Sequence, residues 1–156
     1  MTTADAPIDR NAHPGWPDLS GRLTPEGHVL LVRVYFEDTD FSGAVYHASY
    51  LRFLERGRSD FLRLRGVSHR ALGAEGLAFA VRRMTVSFER AARIDDIVEV
   101  RSALVEIGGA RIMLRQDVRR GAELIVAAEV LVALVDGAGR PRRLPAAMRA
   151  ALSPPV

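Results

Sequence analysis

Cysteine and lysine are both absent from this 156-residue sequence, and each absence excludes a kind of chemistry. Without cysteine the chain can form no disulfide and has no thiolate nucleophile. Without lysine, all 22 basic residues other than histidine are arginines. Because arginine stays protonated at ordinary pH, the sequence pI is about 10.1 although the net charge is only +3. Arginine suits a phosphorylated ligand, but a solvated surface explains most of these residues equally well.

Long hydrophobic runs are also missing, and no stretch is apolar enough over sufficient length to cross a bilayer. Residues 1–21 lack the basic-then-apolar layout of a secretory signal. We therefore expect a cytoplasmic protein without a membrane span. The length and the 48% hydrophobic content fit one globular domain.

Metal-binding and phosphate-binding patterns are absent as well. None of the four histidines pairs with another histidine or a carboxylate at a recognised ligand spacing. A glycine-rich phosphate loop and a serine nucleophile elbow are both missing. We therefore expect neither a metal ion nor a cofactor.

The chain divides into an arm and a domain. Residues 1–25 are rich in proline and poor in aliphatic residues, which predicts a flexible N-terminal arm. Trp16 either pins this arm to the body or to a partner subunit, or is incidental. Residues 26–156 predict a single domain, and its first strand covers residues 28–36.

A long buried helix is predicted over residues 46–65, after turn-forming residues at 37–43. Gly57 lies in the middle of this helix, where glycine costs about 1 kcal/mol relative to alanine, so we expect another backbone close by. One stripe of the helix carries Tyr50, Leu54, Gly57, Phe61 and Leu64.

The remaining pattern predicts mainly strands. A short helix at 68–75 and a last helical turn at 145–152 flank strands at 78–89, 97–107, 110–119 and 123–135. Consecutive strands joined by short turns favour an antiparallel sheet. One helix on a face of that sheet gives an α+β layer.

Acidic residues and a histidine stand out between the first strand and the long helix. Asp40 follows the strand, and His47 lies at the start of the helix. Free N–H groups at a helix N-terminus can hold an oxyanion. A carboxylate nearby can attack a carbonyl carbon or activate a water. Without this context, Asp40 is typical of a turn residue, and Glu37 and Asp38 are interpreted as loop-forming.

This region resembles the signature of the 4-hydroxybenzoyl-CoA thioesterase family, especially its Tol-Pal-associated acyl-CoA thioesterase branch. The resemblance continues downstream and covers about residues 30–148. Its strongest stretches are Arg33–Asp40, Gly43–His47, Ser49–Tyr50 and Phe53–Arg58.

The resemblance implies a hot-dog fold, in which an antiparallel sheet of about five strands wraps around one long helix. It implies hydrolysis of acyl-CoA, with a short-chain acyl group expected, and coenzyme A is then part of the substrate rather than a cofactor. It also implies a homodimer or homotetramer with active sites between subunits. Cell-envelope or lipid-synthesis proteins are expected as further partners, and nucleic acid is not.

The resemblance assigns roles to two residues. Asp40 aligns with the catalytic aspartate of the family, and the backbone N–H of His47 polarises the thioester carbonyl, with its side chain assisting. One departure is Phe36, where the branch usually has tyrosine. Either a hydroxyl at that position has no catalytic role in this chain, or Tyr35 or Tyr46 supplies it.

Five further residues are candidates for substrate binding, each with a structural alternative. Tyr46 and Tyr50 line the acyl pocket or simply pack. Glu55 orients a water or a neighbouring residue, or pairs with an arginine on its helix. Arg82 and Arg83 bind the coenzyme A phosphates or lie on a wet strand face.

Two other functions remain open. One is a different hot-dog enzyme that acts on acyl groups bound to a carrier protein. The other is a non-enzymatic, arginine-rich binding module, which would bind polyanions with a steep salt dependence. The sequence shows no recognised nucleic-acid fold or aromatic RNA-binding motif.

Overall fold

The computed structural model describes residues 18–153. Trp16 and most of the predicted arm lie outside this range. The elements in chain order are β1 (Arg22–Thr24), β2 (Gly27–Arg33), a 3-10 turn (Phe36–Asp38), α1 (His47–Leu64), α2 (His69–Ala74), β3 (Leu77–Phe88), β4 (Ile97–Ile107), β5 (Arg111–Arg120), β6 (Glu123–Asp136) and α3 (Ala146–Leu152). None of the helices in this range is long and apolar enough to cross a membrane.

The strands form one antiparallel sheet in the order β1-β2-β4-β5-β6-β3. This confirms the predicted α+β layer and adds a sixth strand. Residues 22–24, predicted as part of the flexible arm, form β1 instead and pair with β2 across a two-residue turn. His28 fixes this hairpin, because its Nε2 lies 2.7 Å from the carbonyl oxygen of Ser20.

The first long strand ends earlier than predicted. β2 stops at Arg33, whereas the sequence pattern predicts a strand to residue 36. The reason is the Asp38 side chain, whose Oδ2 accepts a hydrogen bond of 2.8 Å from the backbone N–H of Tyr35. That bond folds the chain into the 3-10 turn and draws it out of the sheet.

α1 packs on one face of the sheet, against β1, β2, β4 and β5. The predicted stripe is confirmed from Tyr50 to Phe61, while Leu64 at the end of the helix is 39% exposed. Gly57 lies against side chains rather than another backbone, since a Cβ there would come within 2.6 Å of Val100 Cγ1. The missing side chain therefore sets how closely α1 approaches β4.

The end of β3 and the connection to β4 lie beside the first turns of α1. The Phe88 ring is 6.0 Å from the Tyr50 ring and 6.3 Å from the His47 ring. The Tyr50 hydroxyl accepts a 2.9 Å hydrogen bond from the backbone N–H of Ala92. This bond ties the β3–β4 connection to α1 and fixes the surroundings of the helix N-terminus.

Candidate active site

The loop between the 3-10 turn and α1 doubles back on itself. The backbone N–H of Tyr46 donates to the Asp38 carbonyl at 2.9 Å, and that of Asp40 donates to the Ala44 carbonyl at 2.9 Å. Gly43, at a φ of +80°, donates its N–H to the Asp40 carbonyl and closes the turn. Asp40 therefore lies beside the tip of a narrow loop whose returning arm leads directly into α1.

The β3–β4 connection holds this loop in place. The backbone N–H of Val45 donates to the Ala92 carbonyl at 2.9 Å, and that of Ile94 donates to the Gly43 carbonyl at 3.3 Å. The Arg93 guanidinium donates to the Ser42 carbonyl at 3.5 Å. The loop that carries Asp40 is thus fixed by backbone contacts to a second segment.

Asp40 presents an ionised carboxylate to solvent. Its Oδ1 accepts hydrogen bonds from the Ser42 hydroxyl at 2.5 Å and from the Ser42 backbone N–H at 2.8 Å. These two bonds, and the charge of Arg93, hold the pKa of the Asp40 carboxyl below its ordinary value. No residue of the described range donates to Oδ2. One oxygen of the carboxylate therefore faces no protein donor.

The N-terminus of α1 has free amide groups. Tyr46 occupies the N-cap position but makes no side-chain capping bond. Within residues 18–153, the backbone N–H groups of His47 and Ala48 have no protein acceptor. Such groups carry partial positive charge, which the helix dipole reinforces.

Exposed aromatic rings surround this N-terminus. The His47 imidazole is exposed, and its ring lies 4.5 Å from the Tyr46 ring. Tyr46 is 49% exposed, Phe88 is 50% exposed, and Phe41 in the loop is fully exposed. The region is open on a single chain and offers apolar surface beside the free amides.

Tyr50 is buried beneath this surface. Its hydroxyl is engaged by Ala92, and its ring packs on Phe53 and Phe88. Burial raises the pKa of its phenol, so the hydroxyl stays protonated. The structure thus gives Tyr50 a packing contact, whereas Tyr35 and Tyr46 both face solvent.

Glu55 lies eight residues beyond His47, which is about 12 Å along α1. Its carboxylate accepts a 2.7 Å hydrogen bond from the Ser59 hydroxyl, and Ser59 Oγ is 2.9 Å from His69 Nε2. The alternative, a salt bridge from Glu55 to Arg52 or Arg58, is not seen in the described residues. Ser59 and His69 were not predicted, because their contact joins two separate helices.

Arg82 and Arg83 lie in the middle of β3, next to a bulge after Val81, and both are exposed. At about 3.3 Å per residue, Arg82 lies roughly 20 Å along the strand from Phe88. Within one chain the structure therefore does not bring these arginines to the Asp40 loop.

Metal-ligating side chains do not gather near this loop. Across residues 18–153, no three histidine, aspartate or glutamate side chains are close enough to hold a metal ion.

Residues 34–152 match the profile described as the thioesterase-like superfamily. The chain belongs to that superfamily.

Two relatives of this chain are named as acyl-CoA thioesterases. The chain is 45% identical to the acyl-CoA thioester hydrolase YbgC of Escherichia coli O6:H1 over 116 residues, covering 73% of this chain and 87% of the relative. It is 40% identical to the acyl-CoA thioesterase YbgC of Haemophilus influenzae over 131 residues, covering 83% and 96%.

A crystal structure of a probable thioesterase from Bartonella henselae has the same fold. It is 44% identical, has a TM-score of 0.73, and the match covers 76% of this chain and 99% of that one. The antiparallel sheet with one long helix on its face is therefore the hot-dog fold, as predicted.

The sequence did not predict two residues that contact the Asp40 loop, Ser42 and Arg93. Ser42 holds the carboxylate, and Arg93 anchors the loop and adds positive charge. The spacing from Asp40 to Ser42 is typical of an Asx turn and could have revealed Ser42. Arg93 lies 53 positions away in sequence, so only the fold brings it to the loop.

Proposed function

We propose that this chain is an acyl-CoA thioester hydrolase, which converts an acyl-CoA to the free acid and coenzyme A. Membership of the superfamily and the two named relatives support this reaction. The observation that carries it is the pairing of an ionised, partly unengaged carboxylate with a loop that enters an uncapped helix.

In this proposal Asp40 is the catalytic carboxylate. Its lowered pKa keeps it ionised at neutral pH, and its Oδ2 is available to a water or to the substrate. As a general base, Asp40 takes a proton from water while the water oxygen bonds to the thioester carbon. As a nucleophile, it bonds to that carbon itself and forms an anhydride, which water then hydrolyses.

The N–H groups of His47 and Ala48 stabilise the oxyanion in this proposal. Negative charge develops on the carbonyl oxygen as the new carbon–oxygen bond forms. When the oxyanion collapses, the carbon–sulfur bond breaks and coenzyme A leaves as a thiolate, which is then protonated. In this proposal the exposed His47 imidazole, whose ring lies beside those of Tyr46 and Phe88, supplies that proton.

We also propose that two copies of the chain associate through β3. In the described range this strand of twelve residues pairs only with β6, so its other edge is open. Long open edges readily pair with another strand. Pairing β3 with its own copy would make a homodimer, as the resemblance implies, and two such dimers would make a homotetramer. Arg82 and Arg83 then lie close to the subunit boundary, where they can bind coenzyme A phosphates.

We place the reaction in the cytoplasm, where acyl-CoA substrates are found. Contacts with cell-envelope or lipid-synthesis proteins remain a prediction of the resemblance to the Tol-Pal-associated branch.

A rate profile tests the proposed function. Purified protein is assayed with short, long and aromatic acyl-CoA substrates and with the same acyl groups on a carrier protein, by release of free thiol. We expect the highest kcat/KM for a short-chain acyl-CoA. Thiol release only from carrier-bound acyl groups would identify a hot-dog enzyme that acts on a carrier protein. No thiol release from any substrate would refute hydrolysis.

A further inference from the structure

A small cavity lies between α1, α2 and the sheet, well apart from the Asp40 loop. Its volume is about 110 Å³, which is roughly the space of three or four water molecules. Its polar lining residues are Glu55, Arg58, Ser59 and His69. Its apolar walls are Leu62, Phe79, Val81, Ile112, Leu114 and Val132.

Arg58 is a buried cation without a salt bridge in the described range, although the charge of Glu55 on the same helix acts on it. The residue is 8% exposed, and its one hydrogen bond in the described range runs from Nη1 to Gln116 Oε1 at 3.0 Å. No carboxylate among residues 18–153 lies within 4.0 Å of it. A buried guanidinium is unfavourable unless an anion or further acceptors compensate it.

The neutral partner of Arg58 is itself held firmly. Gln116 is fully buried, and its side-chain amide donates to the Leu54 carbonyl at 2.9 Å and to Ser102 Oγ at 2.8 Å. Gln116 therefore fixes one side of the guanidinium. The other N–H groups of Arg58 have no acceptor in the described range, and Arg58 lines the cavity.

Glu55, three residues earlier on the helix, is placed to neutralise Arg58 but is bound elsewhere. Its Oε1 accepts from the Ser59 hydroxyl, and the His69 Nε2 lies 2.9 Å from Ser59 Oγ. Because the Ser59 hydroxyl donates to Glu55, the His69 N–H donates to Ser59. Glu55, Ser59 and His69 are therefore hydrogen-bonded to one another at the rim of the cavity. None of them accepts a hydrogen bond from the Arg58 guanidinium, which lines the cavity.

We propose that this cavity binds a carboxylate on a short aliphatic stem, with Arg58 as its charged partner. Arginine recognises carboxylates by paired N–H bonds, and the apolar walls accommodate the stem. Glu55 at the rim repels the anion and keeps the affinity low. The carboxylate comes either from a free short-chain acid or from the far end of a dicarboxylic acyl group. The second source rests on the proposed function.

Propionate binding to the full-length protein tests the subsite without any assay of hydrolysis. The Nε–H signal of Arg58 is followed by NMR and is identified by its loss in the R58Q variant. We expect propionate to shift this signal in a saturable way and uncharged propionamide to leave it in place. Equal shifts from both compounds, or none from propionate, would overturn the proposal.

Three variants separate the charge effect from a loss of folding. E55Q keeps an acceptor for Ser59 and removes the rim charge, so propionate should bind several-fold more tightly. The variants are compared by NMR on the signals of propionate itself, because R58Q lacks the Arg58 signal. R58Q should lower the affinity at least tenfold, and R56Q, exposed on the same helix and outside the cavity, should keep it. If R58Q unfolds, E55Q still decides, since unchanged or weaker binding in E55Q contradicts the proposal.

Hydrolysis assays then distinguish the two sources. Arg58 lies eleven residues beyond His47, which is about 16 Å along the helix, so dicarboxylic acyl-CoAs of increasing length are each compared with the monocarboxylic one. A higher kcat/KM for a dicarboxylic acyl-CoA of one length, lost in R58Q and kept in R56Q, identifies the far end of the acyl group as the source of the carboxylate. If no dicarboxylic acyl-CoA is preferred but propionate binding still depends on Arg58, the source of the carboxylate is a free short-chain acid. A chain without thioesterase activity would still bind propionate, so the two proposals fail separately.

Discussion

Two aspartates only two positions apart differ because their surroundings differ. Asp38 is 7% exposed, and its carboxylate is taken up by the backbone of Tyr35. Asp40 is exposed, and Ser42 binds only its Oδ1. Asp38 therefore shapes the loop, whereas Asp40 has an oxygen left for chemistry.

Ser42 donates two hydrogen bonds to Asp40, so S42A should move the pH dependence of the reaction. The alanine removes the hydroxyl bond, which is the largest cause of the lowered pKa, so the pKa of Asp40 rises. Because the reaction needs the ionised form, the acidic limb of kcat/KM against pH moves to higher pH. An unchanged limb, or a shift to lower pH, would show that Asp40 is not the titrating group.

At the scale of elements, α1 combines a buried face with an accessible N-terminus. Gly57 sits where a Cβ would meet Val100 at 2.6 Å, and Ser102 Oγ and Gln116 Nε2 at 3.2 and 3.3 Å. The helix can therefore lie close to β4 and β5. This close packing fixes the helix that carries His47.

A matched pair of glycine substitutions tests this packing. G57A should lower the free energy of unfolding by about 1–3 kcal/mol, because overpacking outweighs the gain of about 1 kcal/mol in helix propensity. G73A in α2, where nothing lies within 4 Å, should be neutral or stabilising. Urea denaturation measures both. A G57A variant as stable as the native chain would mean that β4 can move away.

The sequence predicted the elements whose signal is periodic. The α1 stripe and the four long strands follow from apolar spacing, and the structure confirms them. β1 was missed because it is three residues long with no buried residue. The early end of β2 depends on the Asp38 side chain, and the contact of Ser59 with His69 depends on how two helices pack. The motif located the loop, while the roles of Asp40 and His47 remain predictions.

At the scale of the whole molecule, apolar surface remains exposed on a single chain. Phe36 is 82% exposed and Phe41 fully exposed near the site, and Val81 is 48% exposed on the open edge of β3. Surfaces of this kind commonly mark interaction sites. They are consistent with a second copy that completes the site.

A charge on the open edge should break the proposed dimer. In V81D two carboxylates approach each other across a symmetric β3 contact, and their repulsion opposes pairing. V105D is the control, since Val105 is 49% exposed but lies on β4 inside the sheet order. Sedimentation at micromolar concentration should give the mass of one chain for V81D and at least two for V105D. Equal masses would place the contact elsewhere.

The most direct test of the whole proposal is the turnover of the D40N variant on the best acyl-CoA substrate. The amide keeps the shape of the side chain but can neither take a proton nor attack, so kcat should fall at least about a hundredfold. E37Q, a neighbouring change of the same chemical kind at an exposed loop position, should keep native turnover and secondary structure. A folded D40N protein that turns over as fast as E37Q would contradict the role of Asp40.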